Sequence, residues 1–214
     1  MGEIFGPHTD KFLYRAIMQR DTRAICGLFD AIVTSLVVND IDFVVADAWE
    51  GFNPGHDLCR FLVDTAIQAA EAQTGSRIQN YAIQLWETNR NGDMHRPRGT
   101  LRLPLTPGAF QAKIDQARGY DDLQSEVDRA LSSGGYDAFR TEHLIRVAQP
   151  RYEFPTGIPY YEQVGEERVR KGIYRSCLRF EDHFRPIMTD VRRHARGIYG
   201  GAAYAGEARA GTAP

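Results

Sequence analysis

The segment DIDFVVAD, residues 40–47, constrains the fold more than any other part of the chain. Its centre, Phe43, Val44, Val45 and Ala46, is a continuous apolar run flanked by acids. Such a run suits a parallel strand covered on both faces. A turn-rich loop, AWEGFNPG at 48–55, follows. After it HDLCRFLVDTAIQAAEAQ places Leu58, Phe61, Leu62, Thr65, Ala66 and Ala69 on one face of a helix that Gly75 stops. A second strand is expected around Ile78 to Trp86, which completes a βαβ unit with its usual right-handed crossover. In open parallel sheets ligands sit beyond the carboxyl ends of the strands, so residues 47–57 are the first place to look for chemistry.

The rest of the chain reads as alternating elements. Asp21 caps a helix over 21–38, in which Ile25, Leu28, Phe29, Ile32, Val33 and Leu36 recur at steps of three and four. TLRLPL (100–105) reads as a short strand, and Thr106 and Pro107 open one long helix that runs to the Ser-Ser-Gly-Gly turn at 132–135, with a kink at Gly119. A helical turn is expected at 136–142, a strand at 144–150, and two helical pieces over 166–188 interrupted near Gly172. VRRHARG forms the last turn. The whole is expected to be one α/β domain over 1–196. Residues 197–214, of which 11 of 18 are Gly or Ala, form a disordered tail.

Composition excludes several classes. The chain of 214 residues, 43% of them apolar, can bury a core without disulfides. Its 26 basic and 28 acidic residues leave a net charge of -2, with no field of one sign to attract nucleic acid or an anionic membrane. The skew of 23 Arg to 3 Lys records genome composition better than a recognition surface. No run of 18 apolar residues occurs, and MGEIFGPHTDKF lacks the basic end and apolar stretch of a signal peptide, so a cytoplasmic location is expected. Cys26, Cys59 and Cys177 are isolated and fit neither a disulfide framework nor a structural zinc site; they read as small buried apolar residues. Any metal must be held by His and carboxylate.

The loop EGFNPGHD, Glu50 to Asp57, is the densest polar cluster. His56 stands at the start of the second helix, with Asn53 three residues before it and Asp57 directly after. A neutral imidazole at a strand-to-helix junction can ligate a divalent metal, with a neighbouring carboxylate orienting the ring. Asp47 and Glu50 are candidates for base or secondary ligand. Equally, Asn53 and Pro54 serve as turn residues, with His56 merely in the first helical turn.

The stretch VVADAWEGFNPGHDLCR resembles the second signature of the PIG-L, or LmbE-like, family of zinc-dependent N-acetylglucosaminyl deacetylases, which carry a Glu-Gly-Gly-His-Pro-Asp-His-Asp loop after a core strand. Lys113, Tyr120 and Gln124, the Phe139-Arg140-Thr141-Glu142 piece and the segment PYYEQVGEERVRKGIYR agree in order, so the resemblance spans about 36–195. It implies a Rossmann-like, partly parallel sheet flanked by helices, with zinc as cofactor and His56 as a ligand. Asn53 replaces the first His of the loop and Gly55 the Asp between the two. An amide donates a hydrogen bond to a developing oxyanion but shuttles no proton. Asp57 becomes a supporting carboxylate at the helix start.

The family's His-Pro-Asp-Asp motif is missing, and the 55 residues before His56 are fewer than its usual spacing, which implies N-terminal truncation. The nearest imitation is GPHTDK, where Lys11 stands in place of the second Asp; His8 and Asp10 there also read as substrate contacts on a surface loop. The implied activity is hydrolysis of an N-acetylated amino sugar or small amide, weak or absent in this chain. The rival reading is a non-catalytic ligand-binding or interaction module with the same architecture. The expected partners are the small molecule and a second copy of the chain, with no nucleic acid and no membrane. His95, His143, His183 and His194 have no neighbours at ligand spacing, and Trp49, Phe52, Tyr160 and Tyr161 make a candidate sugar-stacking wall.

Overall fold

The computed structural model describes residues 8–83, 99–119, 124–134, 139–152, 154 and 157–200. In chain order these form α1 (Asp10–Gln19), α2 (Thr22–Val38), β1 (Phe43–Asp47), α3 (Pro54–Thr74), β2 (Gln79–Ile83), β3 (Leu101–Pro104), α4 (Pro107–Arg118), α5 (Gln124–Gly134), β4 (Thr141–Arg146), α6 (Tyr160–Arg170), a π-helical turn (Phe180–Phe184) and α7 (Arg185–Tyr199). Two compact units result, Met1–Asn80 with Ala148–Pro214, and Tyr81–Val147. The fold is mixed α/β, with a sheet in the order β1-β2-β4-β3. One pair is parallel; β2 with β4 and β3 with β4 are antiparallel. The boundary between the units falls inside β2.

In the first unit local chemistry sets the helix starts. The Thr9 hydroxyl accepts from Phe12 N at 3.2 Å to cap α1, and Asp21 accepts from Ala24 N at 3.1 Å to cap α2. The sequence places His8 and Asp10 on a surface loop, whereas Asp10 is the first residue of α1. Thr9 as cap with Phe12, Leu13, Ala16 and Ile17 at helical steps carries the missing signal. The core is built from α2 (Ile25, Phe29, Val33), α3 (Leu58, Phe61, Ala66) and α7 (Ile187, Val191), all buried. Full burial of each large aliphatic or aromatic side chain contributes about 1.5–3 kcal/mol. Gly75, at φ +73°, ends α3 as its spacing predicts.

Strand β1 corrects one expectation. Phe43 and Val45 are 39% and 38% exposed, so the strand is not covered on both faces among the described residues. Its apolar run reflects β propensity as much as burial. Gln79 N donates to Asp42 O at 2.8 Å where β2 begins. The continuation of that strand to Trp86 falls outside the described residues.

In the second unit, Leu101 stands opposite Leu144 and Pro104 opposite Thr141. A small core forms from Phe110, Ile114 and Leu131. The single long helix expected over 107–131 is two helices, because α4 ends at Gly119. The strand expected at 144–150 begins earlier, at Thr141, inside the segment read as a helical turn. Residues 135–138, like 201–214 of the expected tail, lie outside the described residues; α7 continues three residues past Arg196, to Tyr199. No described helix is long and apolar enough to cross a membrane.

Candidate functional site

Strand β1 delivers Asp47, and α3 begins seven residues later. Asn53 caps α3, its Oδ1 accepting from Gly55 N at 2.8 Å, and Pro54 occupies the first turn. Between them the loop is held from inside by Asp57, which is 1% exposed. Its carboxylate accepts from Glu50 N at 3.0 Å and from Gly51 N at 3.2 and 3.0 Å to its two oxygens. Burial pushes the Asp57 carboxyl up to about 6, against the pull of the two backbone N–H groups. Tyr161 N at the start of α6 donates to Gly51 O at 3.2 Å.

Gly51 is required twice over. Its φ of +69° lies in the left-handed region that favours glycine, and a Cβ there would meet the Phe154 ring at 2.7 Å. Gly51→Ala is expected to lower the unfolding free energy by about 2–3 kcal/mol, combining left-handed strain with overpacking. Gly157, also at positive φ but with open space around it, provides the control: Gly157→Ala should lose only the backbone part. Urea unfolding of both variants checks this, and equal losses would remove the steric argument.

His56 is half-buried in the first turn of α3, with Nδ1 3.1 Å from Asp47 Oδ2. Asp47 is the main cause that raises the imidazole pKa; burial opposes it, and the charges of Asp10 and Asp57 add to the rise. The carboxylate against the ring is therefore Asp47, at the end of β1, while Asp57 is turned to the loop backbone. The contact with Asp47 is a close ion pair: Nδ1 is buried and makes no aligned hydrogen bond among the described residues. An imidazole held at one nitrogen by a carboxylate is the arrangement that orients a metal ligand. It fits one position of a zinc site. Among the described residues no group of three His, Cys, Asp or Glu stands close enough to hold a metal.

The remaining candidates divide clearly. His8 stacks on Phe12 with centroids 4.7 Å apart, and Asp10 opens α1 near enough for its charge to act on His56. His194, read as lacking neighbours, has Nε2 2.9 Å from both oxygens of Asp30. His183 Nδ1 accepts from Arg179 N at 3.0 Å, and His95 lies outside the described residues. Cys26 is buried as expected, but Cys59 is exposed and Cys177 half-buried. Two pieces of the resemblance meet in the second unit, where Lys113 Nζ donates to Glu142 Oε1 at 2.6 Å. Tyr120 falls outside the described residues.

Of the expected aromatic wall, Trp49 packs in the core against Tyr152 and Phe184. Phe52 and Tyr160 stack at 5.5 Å and 9°, and with Tyr161 they line a cleft of about 340 Å³ that also takes in Tyr14, Arg168 and Tyr174. Sequence reasoning missed a buried polar network. Arg60 and Asp64, each 2% exposed, pair on α3. Arg60 donates to Asn80 Oδ1 at 2.7 Å, Asn80 Nδ2 to Asp64 Oδ1 at 2.7 Å, and Tyr152 OH to Asp64 Oδ2 at 3.0 Å. In the sequence the two look like an ordinary pair four residues apart on the side of the helix opposite Leu58, Leu62 and Ala69.

Comparison of the chain with family models, curated proteins and solved structures gave no match.

Proposed function

We propose that the chain is a Rossmann-like, PIG-L-type zinc-dependent N-deacetylase domain acting on an N-acetylated amino sugar or related small amide, with His56 as one metal ligand. The observation that carries this reading is the His56–Asp47 pair at the carboxyl end of β1, where a βαβ unit presents its ligands. Zinc, when bound, supplies an activated water for attack on the amide carbonyl. Asp47 pairs with the imidazole at Nδ1, which leaves Nε2 as the nitrogen for a metal. Asn53 uses its carbonyl oxygen to cap α3, which leaves its NH₂ to donate to a developing oxyanion. Asp57 fixes the loop that carries both.

Zinc calorimetry on the whole chain tests the assignment. His56→Ala should abolish specific binding, and Asp47→Asn should weaken it about 10–100-fold. A proton competes with the metal at His56. Because Asp47 raises that pKa, affinity begins to fall at a higher pH than for an ordinary imidazole, and Asp47→Asn moves the onset to lower pH. Zinc binding by His56→Ala equal to that of the parent overturns the reading. Acetate release from N-acetyl amino sugars, assayed with zinc added, is expected to be weak and to vanish in His56→Ala.

A second reading, a non-catalytic ligand-binding module, is favoured by the lack of a three-ligand group among the described residues. A parent chain that neither binds zinc specifically nor releases acetate would select it.

A further inference from the structure

We propose that the cleft beside the 48–54 loop binds a flat aromatic acid, a one- or two-ring compound carrying a carboxylate. The cleft, of about 340 Å³, lies within the first unit between α1, the loop, α6 and residues 174–178, and is large enough for such a ligand. Its walls are aromatic. Phe52 and Tyr160 form a parallel stack, and Tyr14, Tyr161 and Tyr174 complete the lining on other sides. Rings in this setting favour a flat, apolar body by stacking and edge contact.

Charge decides the rest of the ligand. Arg168 is the one charged side chain among the described lining residues. The acids beside it in sequence are already engaged: Glu167 with Lys171 at 2.5 Å, and Glu166 with Arg179 at 3.1 Å. Arg168 itself donates to the neutral Tyr174 hydroxyl and lies over that ring, 5.2 Å from its centroid, with no carboxylate partner among the described residues. A guanidinium has five donors in a planar fork matched to a carboxylate, so one such bond leaves room for an anion.

Two further features suit a fixed site. A Cβ on Gly165 would meet the Cys177 Cβ at 2.7 Å, so α6 lies hard against the 176–178 segment and the cleft has a firm edge. The Tyr161 hydroxyl is buried, which sets that ring firmly in the cleft wall. A cation is disfavoured by Arg168. A neutral sugar would bring many hydroxyl donors to a lining whose described residues include no carboxylate.

The test is calorimetry on the whole chain, treated with chelator so that the outcome is independent of the zinc reading. Indole-3-acetate is the probe, and indole-3-acetamide its neutral counterpart. The acid is expected to bind roughly tenfold or more tightly than the amide, because a charge-assisted pair is lost in the second. Arg168→Gln, at an exposed position, should erase that preference while circular dichroism and melting temperature stay as in the parent. Tyr160→Ala should weaken both probes. Equal affinity for acid and amide, a preference that survives Arg168→Gln, or no binding of either probe overturns the proposal.

Discussion

Asp64→Ala is expected to destabilise the chain by about 3–5 kcal/mol, the usual cost of removing one partner of a buried ion pair. The carboxylate serves three donors at once: Arg60, Asn80 and the Tyr152 hydroxyl. Its loss leaves the Arg60 guanidinium, which is 2% exposed, with Asn80 but without the carboxylate that balances its buried charge. The double variant Arg60→Met/Asp64→Leu should lie much closer to the parent than the single change, since an apolar pair of similar volume removes the stranded charge along with its partner. Urea unfolding of the three proteins measures the coupling. A single-variant loss below about 1 kcal/mol, the scale of an exposed ion pair, would mean that the network contributes little.

Asp57→Ala is expected to cost about 3–4 kcal/mol, because it leaves the N–H groups of Glu50 and Gly51 without their acceptor in a buried loop. Asp57→Asn keeps one acceptor oxygen and should cost less. Its pH dependence gives a sharper test. In the folded chain the carboxyl titrates near 6, above its ordinary value of 3.8. The folded state therefore holds a proton that the unfolded state has lost, and stability falls as pH rises between those values. An asparagine takes no part in this. The stability difference between parent and Asp57→Asn should thus be largest near pH 4 and shrink toward pH 7. A difference that grows with pH would show that the N–H bonds, not burial, dominate the titration.

Much of the first unit was legible because its signals are local. Asp21 as cap, Gly75 as stop and the apolar steps of α2 and α3 each report on one turn of chain, and the structure places them as read. The loop at 47–57 was found for the same reason. What failed required distant partners. Sequence placed Asp57 among the groups serving the imidazole, but its side chain turns back to the loop, and only the end of β1 could show that Asp47 faces His56. His194 gave no hint of Asp30, which lies 164 positions away. Arg60 and Asp64 look like a surface pair until Asn80 and Tyr152 close over them. α1 was missed for a different reason: its signals were local but weak, resting on Thr9 and a short apolar pattern. Gly119 was read as a kink because an uninterrupted pattern on both sides hides a helix end.

The Asp57 clamp also bears on the order in which the chain acquires structure. Its bonds to Glu50 and Gly51 span only seven and six positions. Closing so short a ring costs little chain entropy, and the cost grows only slowly with length. The ring can therefore close with the first turn of α3, long before Tyr161 arrives from 110 positions away to meet Gly51. His56 lies inside that ring, so its placement relative to the loop backbone is a short-range property of the chain. Contacts of this kind form early in folding, ahead of those that bring α6 into place.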